Sequence, residues 1–516
     1  LEVLGSGYRI VYALADFQDK KASPLSYIVF QDLKSFHAWL SGNFQKGLTA
    51  ARQAMAIEQE TGVSLIFLPL RVHAAASAIG LGRYARARKL LEEVTPFLDH
   101  QGLWNQCLYH NIFFWLHLVT ENFAECRYHA KAFFEKGKQT GNSMLLTIAH
   151  LSMAKMFYAF GEKQSAETHL KKSFHFCSRY GAIQDKFMAL LTLATFFLDK
   201  QADTKAVKPL RKALYLGRIW NYRYGFFWVP KEMARLFSHA LKNDIEVRYV
   251  RTLIREHNLI PESPPLDIPN WPWPIRISSL GGLKIHLGED VMQFSRKTQQ
   301  KTMAILKYMM AKGNTNVAEH ALLDALWPDS DGDAAHNAFK TTLHRLRKRL
   351  GNKNAIIHKQ GVLAFNAFLV WTDTMAFASC CSRIDNDLDE QDCVETALQL
   401  LNELLLLYRG PLLPEEQSSW VILEREKLRS KFLDVIQTIA DILEHHGQWQ
   451  KAIHCYKQTL EIDPLLEPLY QRLMQVYVRM GKKTEALGIY RQCKAILQAE
   501  LGSSPPKKMQ VLKQAL

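Results

Sequence analysis

The sequence lacks the motifs with which many enzymes bind a nucleotide or a catalytic metal. Its 516 residues contain no GxxxxGK followed by Ser or Thr, no GxGxxG after a predicted strand, no HExxH and no GxSxG. The opening LGSGYR has glycines but neither the Lys nor the Ser or Thr of a phosphate-binding loop. These absences predict a chain that is not an enzyme and that needs no cofactor.

Cysteine is scarce, and its spacing fits neither a zinc site nor a disulfide framework. The eight cysteines include no C-x-x-C pair; they are Cys107, Cys126, Cys177, Cys380, Cys381, Cys393, Cys455 and Cys493. We therefore expect buried thiols in a reducing cytoplasm. Apolar runs such as 188–198 are shorter than the roughly 18 residues of a membrane span, so no membrane partner is expected.

The loop WPDSDGDA contains the only spacing that suggests a metal site. Asp329, Asp331 and Asp333 alternate as they do at the start of a calcium loop. However, Ala334 and Lys340 stand where an EF-hand loop starting at Asp329 needs Gly and Glu. The loop is therefore predicted to be a turn, with Asp333 capping the next helix and no metal bound.

Charge and hydrophobic content point to a large, basic, folded protein. The chain is 48% hydrophobic, which is enough for several cores, and its formal net charge is +15. Such a charge favours a polyanionic partner, either nucleic acid or another anionic surface. Because the chain opens at Leu1 and not at Met, we expect it to be the C-terminal part of a longer polypeptide.

The first half of the chain repeats at intervals of about 40 residues. Residues that suit a left-handed helix end follow each long helical pattern: Gly62, Gly102, Gly141, Gly181 and Asn221. Turns inside the helix pairs are marked midway between them by Gly42, Gly82, Asn122, Gly161 and Asn243. After an unassigned lead-in at 1–30, residues 31–258 are predicted to form an α-solenoid of about six helix hairpins.

This pattern resembles the tetratricopeptide-like superhelical domain of MalT-type regulators. The resemblance implies a concave surface, where a protein or a small-molecule signal could bind. It also implies that a nucleotide-switch ATPase domain precedes Leu1 in the full-length protein. The many aromatic residues of the solenoid could line such a groove, but we favour the interpretation that most of them pack between hairpins.

A proline-rich segment separates the solenoid from a region with a different periodicity. Six prolines in 259–274 exclude a helix and predict an extended linker. The period then changes from 3.6 to 2, which predicts an antiparallel platform of strands at 276–280, 283–287 and 291–294. Three helices at 298–311, 317–326 and 334–350 and a hairpin at 355–365 complete a domain at 275–369.

The helix that runs from Asp333 to Leu350 has a basic face and an apolar stripe. The stripe contains Phe339, Leu343, Leu346 and Leu350, and a helical wheel places donors and small polar groups opposite it: Asn337, Thr341, His344, Arg345 and Lys348. Lys340, Arg347 and Arg349 lie on the flanks, where they could reach phosphates. No Asp or Glu occurs between Ala334 and Gln360. A basic run alone is more often a solvated helix face, so the interpretation depends on the neighbouring elements.

The domain at 275–369 resembles an OmpR/PhoB-type winged-helix domain in its order of strand platform, three helices and hairpin. The specific part of the match is NAFKTTLHRLRKRLG in the third helix. The resemblance implies that this helix enters the major groove of double-stranded DNA and that the hairpin, or wing, reaches the minor groove. It assigns Thr341, His344 and Arg345 to bases and Arg347 to the backbone. His358 and Lys359 would serve in the wing.

The remainder, 370–516, is predicted to be helical. Gly447 and Gly481 are 34 residues apart and flank Asp463-Pro464, as in a tetratricopeptide repeat. This region resembles the bacterial transcriptional activator domain of SARP-type activators. The residues that carry the resemblance are Asp373, LLYRGPLL at 406–413, Trp420, Glu424-Arg425, HHGQWQKAI at 445–453 and ELGSSP at 500–505. That resemblance implies RNA polymerase as a partner.

The sequence thus predicts a mainly α protein with three parts: a solenoid, a winged helix-turn-helix domain with a small antiparallel sheet, and a C-terminal tetratricopeptide-like domain. The predicted function is sequence-specific DNA binding by a transcriptional activator, with the repeats sensing a signal or binding a protein. Two copies could pair on DNA. The alternative is a non-enzymatic repeat scaffold that binds proteins or RNA through basic surfaces.

Overall fold

The computed structural model describes residues 23–180, 183–293, 300–388 and 394–515. The chain divides into two compact units, Leu1–Glu262 and Ser263–Leu516. Helices dominate both units, and the second also contains two small sheets. The mainly α fold class is therefore confirmed.

The first unit is an array of antiparallel helix hairpins in which each helix packs on the next one along the chain. Its helices are α1 (Pro24–Leu40), α2 (Phe44–Thr61), α3 (Phe67–Gly80), α4 (Tyr84–Glu92), α5 (Leu103–Val119), α6 (Phe123–Thr140), α7 (Ser143–Ala159), α8 (Lys163–Tyr180), α9 (Ile183–Asp199), α10 (Asp203–Ile219), α11 (Pro230–Lys242) and α12 (Val247–Glu256). No helix in the described part of the chain combines the length and apolar character of a membrane span.

The turns follow the predicted repeat with one exception. Gly62 and Gly141 have φ values of 74° and 63°, which end α2 and α6 in the left-handed conformation that glycine adopts without steric cost. Gly102 was wrongly predicted to be such a cap. It has a φ of −61° and precedes α5, because a 3-10 turn at Thr95–His100 fills the end of this hairpin. Gly181 lies outside the described residues.

Aromatic side chains mainly fill the interior of this unit. The segment between α10 and α11 contacts earlier helices through aromatic pairs with centroid separations of 5.9 Å for Trp39–Phe226, 4.8 Å for Phe44–Tyr224 and 4.8 Å for Phe114–Phe227. Trp115 Nε1 also donates a hydrogen bond of 3.0 Å to the carbonyl of Trp228. The interpretation that most solenoid aromatics pack between hairpins is confirmed, although Trp104 remains 48% exposed.

Two histidine pairs, one buried and one partly buried, repeat within the solenoid. The Nδ1 atoms of His110 and His129 are 2.9 Å apart, and those of His150 and His169 are 3.0 Å apart. Burial lowers the pKa of His110 to about 4 and that of His129 to about 3. Burial also lowers the pKa of His150 to about 4 and that of His169 below its usual value, so both pairs are polar contacts between neutral rings at neutral pH.

The proline-rich segment between the units contains no helix, but it is more compact than predicted. Trp273 donates its backbone N–H to Trp271 at 2.9 Å, and Trp271 donates in turn to Ile268 at 3.1 Å. All three side chains are at least 95% buried. An extended linker is therefore wrong for this part, because burying the two indoles and the isoleucine folds the chain into turns.

The second unit begins with a four-stranded sheet. Its strands are β1 (Ile275–Ser278), β2 (Lys284–Leu287), β3 (Asp290–Val291) and β7 (Val370–Thr372), in the order β3-β2-β1-β7. The first three pair antiparallel, as predicted, although residues 294–299 lie outside the described part. The prediction that the chain is helical from Val370 is wrong: β7 pairs with β1 in parallel, with Ile275 opposite Val370. Three residues carry too little periodicity to indicate this pairing.

Three helices and a second sheet follow. They are α13 (Gln300–Ala311), α14 (Glu319–Leu326), α15 (Gly332–Arg349), β4 (Val317–Ala318), β5 (Ile356–Lys359) and β6 (Val362–Phe365), with sheet order β4-β6-β5. Asp333 is not the cap of α15. Asp331 is, because its Oδ1 accepts the N–H of Ala334 at 2.7 Å. The predicted hairpin is confirmed, with positive φ at both Gln360 and Gly361.

The C-terminal helices form a repeat module around a single core. They are α16 (Asp373–Asp387), α17 (Val394–Leu407), α18 (Ser419–His445), α19 (Trp449–Ile462), α20 (Glu467–Arg479), α21 (Lys483–Leu501) and α22 (Lys507–Gln514). Gly447 and Gly481 have φ values of 66° and 73° in the turns after α18 and α20. Arg429 of α18 forms a salt bridge of 2.6 Å with Asp463, which directly follows α19.

A buried carboxylate joins this module to the first sheet. Oδ2 of Asp373 accepts the backbone N–H groups of Ser279 and Leu280 at 2.6 and 2.7 Å, just after β1 ends. Its Oδ1 also accepts the Ser279 hydroxyl at 3.1 Å. Burial raises the pKa of Asp373 to about 6, while these hydrogen bonds stabilise the ionised form.

Ion pairs and a hydrogen-bonded turn surround this joint. Lys307 and Lys312 of α13 reach Glu416 and Glu424 at 2.9 and 3.0 Å. Arg425 donates to three backbone carbonyls of the segment that precedes α18, namely those of Leu412, Leu413 and Glu416. Asp373 and Glu424, two of the motif residues that carried the family resemblance, thus hold the two parts of this unit together, while Arg425 orders the segment before α18.

Replacing Asp373 by Ala should destabilise the second unit. The substitution leaves two buried backbone N–H groups without an acceptor, and each such group costs about 1 to 3 kcal/mol. We expect the free energy of unfolding to fall by about 2 to 5 kcal/mol, measured by urea denaturation of the full chain. Asp434→Ala, at an exposed position of α18, is the matched control and should change it by less than about 0.5 kcal/mol. An equal change in both variants would contradict the structural role of Asp373.

Candidate nucleic-acid interface

Helix α15 is fixed by its apolar stripe. Phe339, Leu343 and Leu346 are each at least 97% buried and belong to the core that also contains β1 and α13. Because these positions recur at helical spacing, burying them orients every other residue of α15. The opposite face must therefore point away from the core.

The five residues predicted to read bases are all exposed on that face. They are Asn337, Thr341, His344, Arg345 and Lys348. Thr341 donates its hydroxyl to the carbonyl of Asn337 at 3.1 Å, so its oxygen remains available as an acceptor. The structure brings these side chains together on one helix face, while their role in reading bases stays a prediction.

The residues predicted to contact the DNA backbone differ in their exposure and in their contacts within the protein. Lys340 and Lys359 are exposed, and Arg349 is half-buried. Arg347 already binds the protein: its Nε and Nη2 donate to the carbonyl of Ile356 at 3.1 and 2.7 Å. This contact ties the C-terminal part of α15 to the first strand of the wing. Arg347 therefore holds the wing in place, whichever further contacts its remaining N–H groups make.

His358 is likewise engaged inside the domain. Its Nε2 lies 2.7 Å from Oε2 of Glu319, and its ring packs edge-on against Phe339 at a centroid distance of 5.5 Å. The other carboxylate oxygen of Glu319 lies 2.6 Å from Nδ1 of His336 on α15. Glu319, at the start of α14, thus bridges the helix and the wing.

Sequence reasoning missed Glu319 and His336. The two contacts of Glu319 span 17 and 39 positions, so no local spacing indicates them. The one available signal is that a carboxylate opens α14 directly after a strand, which is common at helix starts and carries no hint of its partners.

A concavity lies between the C-terminal part of α15 and the wing. It is open, has a volume of about 880 Å³ and is lined by six basic or imidazole side chains: His344, Arg347, Lys348, Lys353, His358 and Lys359. None of the described residues that line it carries a carboxylate. A cavity with this lining favours an anion such as a phosphate group.

A family comparison identifies the module that follows this domain. Residues 372–516 match the model of the "Bacterial transcriptional activator domain". This segment is a bacterial transcriptional activator domain. It begins one residue before Asp373, so the domain provides the carboxylate that holds the sheet.

Relatives with similar sequences are bacterial regulators. The chain is 24% identical over 257 residues to "Regulatory protein AfsR" of Streptomyces griseus, which covers 50% of this chain and 26% of that protein. It is 23% identical over 244 residues to "Transcriptional regulatory protein EmbR" of Mycobacterium tuberculosis, covering 42% of this chain and 57% of that protein. The chain thus spans about a quarter of the former and just over half of the latter. It is related to transcriptional regulators of the SARP type.

Solved structures give weaker similarities. "Mycobacterium tuberculosis EmbR in complex with low affinity phosphopeptide" is 21% identical with a TM-score of 0.36, over 46% of this chain and 64% of that one. The "P58(IPK) TPR Domain" is 11% identical with a TM-score of 0.22, over 95% of this chain and 96% of that one.

Replacing Glu319 by Ala should loosen the wing. Without the carboxylate, His336 and His358 lose their shared partner, while the hairpin keeps its strand pairing, its core packing and the Arg347 contact. We expect faster amide hydrogen exchange in 356–365 and unchanged exchange in α18, measured by mass spectrometry. Glu461→Ala, at an exposed position of α19, should leave both regions unchanged. Full protection of the hairpin in Glu319→Ala would contradict the bridging role.

Proposed function

We propose that this chain is a DNA-binding transcriptional activator that reads a promoter with α15. The observation that carries the proposal is the exposed face of Asn337, Thr341, His344, Arg345 and Lys348, which no acidic side chain interrupts between Ala334 and Gln360. The activator domain, which packs against α13 of the same unit, and the regulators related to the chain in sequence support the same proposal.

The chemistry of this face suits base edges in the major groove. The Arg345 guanidinium can donate to both acceptors of a guanine, and the Asn337 amide can pair with an adenine. Thr341 is short enough to let the helix approach closely and offers a hydroxyl oxygen and a methyl group. His344 lies beside Arg345, and its imidazole adds one donor and one acceptor when neutral.

Flanking cations would hold α15 in register on the DNA backbone. Lys340 and Arg349 lie on the two flanks of the helix, and Lys359 lies at the tip of the wing. Arg347 and His358 mainly support the interface, because their contacts with Ile356 and Glu319 keep the wing at a fixed angle to α15. Phosphate contacts of this kind position a protein without distinguishing sequences.

The remaining parts would connect DNA binding to transcription. The activator domain would contact RNA polymerase, as the resemblance implies, and two copies would occupy tandem sites. The helical repeats of the first unit would bind a protein or a small-molecule signal and regulate the second unit.

Arg345→Ala should reduce sequence discrimination. Losing a bidentate contact to one base costs about 1 to 3 kcal/mol, so affinity for the preferred site should fall by about 5- to 150-fold while nonspecific binding changes little. The measurement is fluorescence anisotropy with the preferred duplex, selected from a random pool, and with a scrambled duplex.

Two further variants serve as controls for Arg345→Ala. Lys340→Ala removes a flanking cation and should weaken binding to both duplexes alike. The slope of the logarithm of affinity against the logarithm of salt concentration should become shallower by about one unit. Arg491→Ala removes an exposed arginine of α21 and should leave both affinities unchanged. Equal loss on both duplexes in Arg345→Ala would contradict base reading, and binding that does not depend on salt would favour the scaffold alternative.

Removing the first unit should strengthen DNA binding if the repeats restrain the second unit. A fragment of residues 263–516 corresponds to a compact unit with its own cores. We expect it to bind the preferred duplex more tightly than the full chain in the same anisotropy assay. Equal or weaker binding by the fragment would contradict restraint by the repeats.

A further inference from the structure

One of the two histidine pairs in the solenoid has additional ligand-type neighbours. His110 and His129 are followed 40 residues later by His150 and His169, with nearly the same separation between Nδ1 atoms. Beside the first pair lie His117 and Glu125, whereas Phe157 and Ser165 occupy the corresponding positions of the next repeat. The two repeats thus differ in chemistry while sharing the same framework.

The three side chains His117, Glu125 and His129 converge. One ligand atom from each lies within 4.8 Å of the others, and Nε2 of His129 is 4.0 Å from Oε2 of Glu125. Glu125 and His129 are one turn apart on α6, so they project from the same face. His117 approaches from α5 across the turn that joins the two helices.

His117 contributes an unsatisfied buried atom. The residue is 98% buried, and its Nδ1 has no hydrogen-bond partner among the described residues. Its ring lies nearly parallel to that of His129, at an interplanar angle of 17° and a centroid distance of 5.5 Å. A buried imidazole nitrogen without a partner is rare in a folded protein, because its lone pair or its proton would remain unpaired.

We propose that His117, Glu125 and His129 form a binding site for a divalent transition-metal ion of the zinc class. Two imidazoles and one carboxylate are a donor set that such ions accept, and they leave a fourth position for water. Tetrahedral coordination at zinc distances separates ligand atoms by about 3.3 Å, so modest side-chain rotations close the site. The side chain of Glu125 is 53% exposed, which gives the ion a route from solvent.

His110 supports the site by holding the ring of His129 in place. When Nε2 of His129 binds the ion, its Nδ1 carries the proton, and this N–H donates a hydrogen bond to Nδ1 of His110 across 2.9 Å. A hydrogen bond of this kind sets the tautomer and the orientation of a metal-bound imidazole. The His110–His129 pair can thus support a metal site. The His150–His169 pair cannot, because Phe157 and Ser165 stand where the first repeat has His117 and Glu125.

The bound ion would link α5 to α6 across their turn. That turn contains Glu121 in the left-handed conformation, with a φ of 56°, where residues other than glycine are strained. An ion held by both helices would stabilise this hairpin relative to its open forms, because it binds only when the three ligands are together.

The test is metal titration of the full chain. The protein is stripped with a chelator and titrated with Zn²⁺ by calorimetry, and a second stripped sample is titrated with Co²⁺ to record the visible absorption of a low-coordinate site. We expect one saturable site, a rise in the melting temperature of the solenoid and at least a tenfold loss of Zn²⁺ affinity in Glu125→Gln. His129→Gln should abolish the site.

His169→Gln is the matched control for His129→Gln. It removes the equivalent ring of the next repeat, where no third ligand is present, and should leave Zn²⁺ binding unchanged. If His129→Gln fails to fold by circular dichroism, Glu125→Gln decides, since its side chain is largely exposed. No saturable binding by the parent chain, unchanged affinity in Glu125→Gln, or an equal loss in His169→Gln would each overturn the proposal.

Discussion

The carboxylate of Asp373 is the contact on which the second unit depends. It accepts two backbone N–H groups and one hydroxyl where β1 ends, and it does so from the first residue of α16. Burial alone would raise the pKa of such a group and favour its neutral form. The three donors offset part of that cost, so the carboxylate becomes an anchor between the winged-helix fold and the activator domain.

This anchor explains why β7 belongs to the first sheet. Val370 to Thr372 pairs in parallel with β1 and leads directly into Asp373, so sheet and helix are fixed by consecutive residues. Lys307 and Lys312 add ion pairs from α13 to the activator domain. Partly buried ion pairs of this kind favour one arrangement of the packed elements over others. The winged-helix fold and the activator domain therefore form one unit.

Within this unit, the candidate interface combines one exposed surface and one internal support. The exposed residues of α15 contribute the chemistry that could recognise bases. Glu319 and Arg347 contribute geometry, because each ties α15 to the wing through short hydrogen bonds. A recognition surface needs both, since a side chain reads a base edge only when the helix that carries it is held at a defined angle.

The sequence by itself determined the elements with strong periodicity. The stripe of Phe339, Leu343 and Leu346 predicted both the helix and its exposed face, because a 3.6-residue period places the remaining positions on the opposite side. The repeat of about 40 residues likewise predicted the helix hairpins of the first unit. The cap at Asp331, the turn at Gly102 and the strand β7 were missed, since each depends on a few residues with several locally acceptable conformations.

Only the tertiary structure decided the contacts between distant positions. Glu319 meets His336 and His358 across 17 and 39 residues, and Asp373 meets Ser279 across 94. The histidines of α5 and α6 converge on Glu125 because the two helices pack antiparallel, a relation that their spacing does not show. Local propensity sets helix and strand, whereas packing determines which polar groups meet, because each buried polar atom must find its partner wherever the fold places it.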